Sequence, residues 1–112
     1  MSRITTHILD TAAGKPADAV PVILYSLQAG EWLEMADGIT GKDGRIAALL
    51  AQNVMPANGL YKMKFFTKSY FEQLGVAPFY PYVEIVFEVR SSEHHHIPLL
   101  ISPYGYTTYR GS

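Results

Sequence analysis

The four histidines of this chain fall in two places: His7 inside THILD, and the run His94-His95-His96 that opens HIPLLIS. Imidazole is the side chain whose charge changes near neutral pH, so these positions are the first candidates for proton transfer or metal binding. In an extended segment His7 shares its face with Thr5 and Leu9, while Ile4, Thr6 and Ile8 take the other. Taken alone, His7 reads either as a hydrogen-bonded structural residue or as a working base. Alternation likewise sends His94 and His96 one way and His95 the other. Two imidazoles two apart on a strand can hold a transition metal, but no third ligand stands at a recognisable spacing, so no metal site is assigned. His94 and His95 read as part of a solvated loop. His96 abuts Ile97-Pro98-Leu99-Leu100, so partial desolvation is expected to lower its pKa and keep the neutral base available at pH 7.

Other reactive groups are few. Arg45 follows Lys42-Asp43-Gly44 and could simply decorate a turn. Arg110 could form an ordinary surface pair, here with the terminal carboxylate. Ser112 is a poor triad nucleophile, since a last residue rarely brings a rigid backbone and oxyanion donors, although Gly111-Ser112 could place a carboxylate and a hydroxyl in a cleft. Phosphate-cradling glycine loops, paired carboxylates and basic-aromatic stripes are absent, and no cofactor is implied. With no cysteine, disulfides, thiol nucleophiles and thiolate metal sites are excluded together. A formal net charge of −1 gives no reason to expect nucleic acid or an acidic membrane as partner. MSRITTHILD lacks a signal-peptide stretch and no 18 apolar residues run together, so the expectation is a soluble, cytoplasmic protein.

The elements that must position these groups are short strands. The chain has 112 residues, enough for one domain, residues 1–112, burying roughly two-thirds of its unfolded surface. Its 48% hydrophobic content, with eight tyrosines and five phenylalanines, exceeds what one small core needs and points to an oligomer. A first strand runs from Ile4 to Leu9, followed by a Gly- and Pro-containing turn from Ala12 to Asp18. Val20 to Leu27 is almost wholly apolar, which predicts a strand covered on both faces. Gln28-Ala29-Gly30 turns into EWLEMADGIT, and GKDG at 41 to 44 delivers Arg45 to a short extended piece. Alternation puts Tyr61, Met63 and Phe65 on one face, and Val83, Ile85, Phe87 and Val89 on another inward face. HIPLLIS and YGYTTY close the chain around a Ser102-Pro103 turn. Thr67 to Val76, with Phe71 and Leu74 three apart and Gly75 as a stop, predicts one or two helical turns. About eight short strands and one small helix define an all-β, antiparallel β-sandwich.

Four of these segments, in this order, resemble the 5-hydroxyisourate hydrolases, the transthyretin-related enzymes of purine breakdown. They are THILDTAAGKPADAVPVIL, TGKDGR at 40 to 45, FYPYVEIVF at 79 to 87, and HIPLLISPYGYTTYRGS at 96 to 112. The resemblance covers Ile4 to Ser112, and the terminal Tyr-Arg-Gly-Ser is its most specific mark. It implies two four-stranded sheets with one short helix, and a homotetramer with active sites at the mouths of a central channel. The substrate is 5-hydroxyisourate and the reaction hydrolytic ring opening in urate degradation. His7, Arg45 and His96 match the family's catalytic residues. Tyr109, Arg110, Gly111 and Ser112 match the motif lining its cleft, with Arg45 and Ser112 serving both binding and catalysis. The tail is then expected to be ordered, with Tyr104 and Tyr106 packing it onto the sandwich. His95 departs from the tyrosine often found there, and facing away from His96 it is expected to leave the chemistry unchanged. Two rival readings are a non-enzymatic carrier using the same channel and an interaction module with an incidental histidine cluster.

Overall fold

In a computed structural model, which describes residues 2–111, eight strands form two four-stranded sheets. The strands are β1 (Ile4–Asp10), β2 (Lys15–Pro16), β3 (Pro21–Gln28), β4 (Glu31–Ile39), β5 (Gly59–Phe65), β6 (Val83–Val89), β7 (His95–Ser102) and β8 (Gly105–Thr108). One helix, α1 (Lys68–Gln73), lies between β5 and β6. The first sheet has the order β2-β1-β7-β8 and the second β4-β3-β5-β6. Period-two alternation decides what faces inward. Ile4 and Ile8 of β1 and Leu99 and Ile101 of β7 meet Val22, Leu24, Met63 and Phe65 of the second sheet in one buried cluster.

One pairing departs from the antiparallel expectation: β1 and β7 run parallel, with Thr5 opposite His96 and His7 opposite Pro98. Parallel neighbours need a long connection between them. Here the whole second sheet intervenes, so the two strands are free to enter the layer from the same end.

Three local expectations are adjusted. The outer face of β3 is half-covered rather than buried, and the Lys62 ammonium lies 5.0 Å from the Tyr25 ring centre and 4.9 Å from that of Trp32. The same ammonium pairs with Glu84 at 3.4 Å, so one largely covered cation bridges two aromatic rings and a carboxylate on that face. The helix spans six residues and buries Tyr70 with Phe71, leaving Leu74 45% exposed. Leu74 is the cap residue beyond the last turn, and Gly75 at φ +74° reverses the chain there as expected. Lys15 and Pro16, inside the predicted turn, form a two-residue strand against Leu9 and Asp10.

Asp10 is the polar residue that the inward face of β1 would otherwise exclude. Only 2% exposed, its carboxylate accepts the amide protons of Ala12 at 3.0 Å and Ala13 at 2.9 Å and the Tyr70 hydroxyl at 2.7 Å. Three donors on one buried anion close the turn after β1 and tie α1 to the first sheet. Burial, then the bond and charge of Asp10, push the Tyr70 phenol well above its ordinary range, so it remains a donor throughout. Replacing Tyr70 by Phe should therefore lower stability by about 1–3 kcal/mol, read from the urea midpoint at fixed protein concentration. An unchanged midpoint would mean that this bond does not anchor the helix.

Candidate functional site

The short β2 covers only the far end of β1, leaving the edge of β1 near His7 for the turn at 41–45. Thr40, buried, fixes the base of that turn: its hydroxyl donates to the Ala17 carbonyl at 2.8 Å and accepts the Val20 amide at 2.9 Å. The turn closes on itself through Gly41 N–H to Arg45 O at 2.8 Å and Gly44 N–H to Gly41 O at 2.9 Å. Asp43 caps it by accepting the Arg45 amide at 3.0 Å. It docks through the backbone bond Ile8 N–H to Gly44 O at 2.9 Å, and His7 and Arg45 form an isolated antiparallel bridge. Gly44 has φ +78°, and a Cβ there would run into the Ile8 carbonyl oxygen and come within 3.2 Å of the His7 ring. Glycine is thus what allows the turn to lie flat on β1 and carry Arg45 beside His7.

The tautomer of His7 follows from its partner. Its Nε2 lies 2.8 Å from the Asp43 carbonyl oxygen, which can only accept, so Nε2 carries the proton and neutral His7 offers a bare Nδ1. Arg45 is exposed, and among the described residues no carboxylate lies within ion-pair distance of its guanidinium.

On β7 the expected alternation holds, with a different outcome for two of the three histidines. His95 is not in a solvated loop: it is 7% exposed, on the inward face, and donates from Nδ1 to the Glu93 carbonyl at 2.8 Å. His94 is not a free loop residue either. Its ring stacks near that of His96 at 6.2 Å and 24°, and its Nε2 lies 2.7 Å from the Thr5 hydroxyl. The same hydroxyl lies 2.8 Å from His96 Nδ1. His96 is held below its ordinary pKa of 6.5, first by burial, then by the positive charges of Arg45, His94 and His7, with a hydrogen bond to Thr5 as a small counterweight. The lowering expected from its apolar neighbours is present.

The tail returns to this point. Gly111 N–H donates to His96 O at 2.9 Å. A Cβ on Gly111 would come 2.5 Å from His96 Cδ2 and 3.1 Å from Pro98 Cγ, so the backbone passes flat over the imidazole only because residue 111 has no side chain. Tyr109 and Arg110 line a cleft of about 260 Å³ with His95, His96, Ile85 and Phe87; neither His7 nor Arg45 borders it. Arg110 pairs with Glu93 at 3.1 Å, both side chains exposed. Tyr104, expected to pack the tail, is 76% exposed at the β7–β8 turn, because a tight two-residue connection points its side chains outward. Tyr106 does pack, edge-on against Tyr80 at 5.3 Å. Ser112 lies outside the described residues.

Sequence reasoning missed Thr5 and the part played by His94. The signal was available: Thr5 shares a face with His7, and His94 with His96. What was not legible was the β1–β7 register that makes those two faces one.

A family model described as HIUase/Transthyretin family matches residues 4–111. The chain is 44% identical to the 5-hydroxyisourate hydrolase of Mus musculus, covering 99% of this chain and 96% of that protein. It is 42% identical to a probable 5-hydroxyisourate hydrolase of Schizosaccharomyces pombe, covering 97% and 90%. Among solved structures, sea bream transthyretin in complex with thyroxine superposes with a TM-score of 0.91 at 32% identity, covering 97% of this chain and 94% of that one. An (S)-allantoin synthase structure gives a TM-score of 0.88 at 32% identity, covering 99% of this chain but 44% of that one.

If burial is the chief restraint on charging His96 and Arg45 the next, an NMR titration should place its midpoint below 6.5. Arg45→Gln should raise that midpoint without carrying it to the ordinary value. A midpoint unmoved by the substitution would remove Arg45 from the neighbourhood of His96.

Proposed function

This chain belongs to the HIUase/Transthyretin family, and from that premise we propose that it hydrolyses 5-hydroxyisourate to 2-oxo-4-hydroxy-4-carboxy-5-ureidoimidazoline. Residues 1–112 act in this reading as one hydrolase domain without metal or cofactor. The observation that supports the chemistry is the common face of β1 and β7, where His7 bridges Arg45 and Thr5 reaches His96 Nδ1, with burial holding His96 below its ordinary pKa. A base near neutrality, a free guanidinium and a second imidazole are the groups that attack of water on a cyclic acyl-nitrogen carbonyl requires.

In the proposed reaction His96, its Nδ1 engaged by Thr5, takes a proton from water through Nε2 as the oxygen attacks the ring carbonyl. Arg45 grips the urate-like ring through parallel N–H donors and stabilises the oxyanion. His96 hands that proton from Nε2 to the departing nitrogen as the carbon–nitrogen bond breaks, while His7, its Nε2–H fixed on Asp43 O, takes the acid proton of the product on its bare Nδ1 and releases it to water. The product leaves as a carboxylate. Gly111 keeps the tail against His96, and Tyr109, Arg110 and Ser112 border the bound ring.

We further propose a homotetramer. His7 and Arg45 lie on the outer surface of the first sheet beyond the 260 Å³ cleft, so a facing subunit is needed to wall in a substrate. Among the described residues thirteen large apolar side chains remain exposed, Val86 at 55% and Tyr82 at 45% among them, supporting burial against further copies. We place the enzyme in the cytoplasm; a fold built without cysteine needs no oxidising compartment.

The test generates 5-hydroxyisourate with urate oxidase and follows its ultraviolet decay. The native chain should accelerate the decay, and His7→Asn or His96→Asn should slow turnover by about two to four orders of magnitude. Arg45→Lys, which keeps charge but loses the fork, should also be strongly impaired. No acceleration over the spontaneous rate would favour a carrier on the same fold, and near-normal turnover in both histidine variants would remove the assigned roles. Gly111→Ala should displace the His96 ring and lower turnover by at least about tenfold; an Ala variant as fast as the native protein would show that the close approach is dispensable.

A further inference from the structure

Thr5 carries one hydroxyl proton, yet two imidazole nitrogens lie within hydrogen-bond distance of its oxygen: His94 Nε2 at 2.7 Å and His96 Nδ1 at 2.8 Å. The hydroxyl donates to one of them, and the other must donate to it. Two neutral rings therefore have two arrangements. In the first, His96 donates from Nδ1 to the Thr5 oxygen, the hydroxyl donates to a bare His94 Nε2, and His94 keeps its own proton on Nδ1. In the second every bond is reversed: His94 donates from Nε2, Thr5 donates to a bare His96 Nδ1, and His96 keeps its proton on Nε2. The register that sets Thr5 opposite His96 and the stacking of the two rings at 24° hold the three groups together in either case.

We propose that His94 is the acceptor that fixes His96 in the first arrangement, so that His96 Nε2 is bare and able to take a proton from water. The inference rests on the hydrolytic reading above. Thr5 occupies Nδ1, which leaves Nε2 as the nitrogen of His96 for the reacting water. A proton already on Nε2 excludes it as a base, so only the first arrangement is competent. That arrangement also survives turnover unchanged. When Nε2 gains its proton, Nδ1–H still points at the Thr5 oxygen, and the bond becomes a charge-assisted one. When Nε2 gives that proton to the departing nitrogen, the same bonds stand. No proton travels along them; they set a tautomer. Without an acceptor at residue 94, the partner left to the Thr5 hydroxyl among the described residues is His96 Nδ1, and donation there puts the His96 proton on Nε2. His94 is half-buried, and among the described residues no protein group bonds its Nδ1, so a proton held there is free to bond water. His94 and Thr5 touch no reacting atom in this scheme and are positioning residues.

Nitrogen-15 spectra of the unliganded protein, taken where both rings are neutral, read the tautomers directly. Native His94 and His96 should both carry the proton on Nδ1, the less common form of free histidine. His94→Phe keeps a flat ring beside His96 but accepts no hydrogen bond, so it should move the His96 proton to Nε2. In the 5-hydroxyisourate assay it should lower kcat roughly ten- to a hundredfold with KM unchanged, less than loss of the base because the competent tautomer persists as a minor species. Thr5→Val releases His96 to its own preference and should do the same, while Thr5→Ser should keep both the native tautomer and most of the rate. Since both changes act on one set of bonds, the double variant should be no slower than the slower single one. A His96 proton on Nε2 in the native protein overturns the proposal, as does native kcat in His94→Phe or a loss of rate with the tautomer unmoved. An inert native chain with both protons on Nδ1 would instead overturn the hydrolytic reading and leave the tautomer assignment standing.

Discussion

The parallel pairing of β1 with β7 is the constraint from which the rest of the site follows. It sets two sequence-distant outer faces side by side, so that Thr5 and His7 of β1 share a single surface with His96 of β7 and with His94 just before that strand. Parallel ladders depend on the layers around them for stability, and this one is backed by Ile4, Ile8, Leu99 and Ile101 in the common core. A slip of one residue would send His7 and His96 to opposite faces. The buried alternation of both strands makes such a slip expensive, and hydrophobic burial thereby specifies the placement of polar groups that contribute little to stability themselves.

Glycines complete the arrangement where the register cannot. Gly44 and Gly111 sit at the two approaches to the histidines, and at each a single methyl group would meet an imidazole. At Gly44 the backbone also adopts φ +78°, a region that most side chains avoid. The guanidinium beside His7 and the segment lying over His96 are thus brought close by what residues 44 and 111 lack. Similar logic holds at Asp10, where an anion in an apolar layer is tolerated because two amides and a phenol surround it.

Much of this was legible in the residues. Alternation located the strands and the inward faces, and the lowered pKa of His96 follows from the apolar run that succeeds it. The candidate arginine and histidines came from the resemblance of four dispersed motifs, since His7 alone more often reads as structural. Long-range register was not legible, because a strand pattern says which residues share a face but not which strand lies alongside. That is why the parallel pair, the role of Thr5 and the engagement of His94 were absent from the sequence reading. Tyr104 and Leu74 failed for another reason: an aromatic or aliphatic residue at the end of an element looks like core in a pattern and points to water once the chain turns.

The β1–β7 ladder also bears on when the molecule becomes competent during synthesis. Its two strands lie far apart in the chain, with β2 to β6 and α1 between them. Such distant contacts are slow to form and must wait for the later partner to emerge. A nascent chain can therefore assemble β3, β4 and β5 while His7 still lacks its β7 neighbours. The face shared by Thr5, His7 and His96 is complete only when β7 takes its seat.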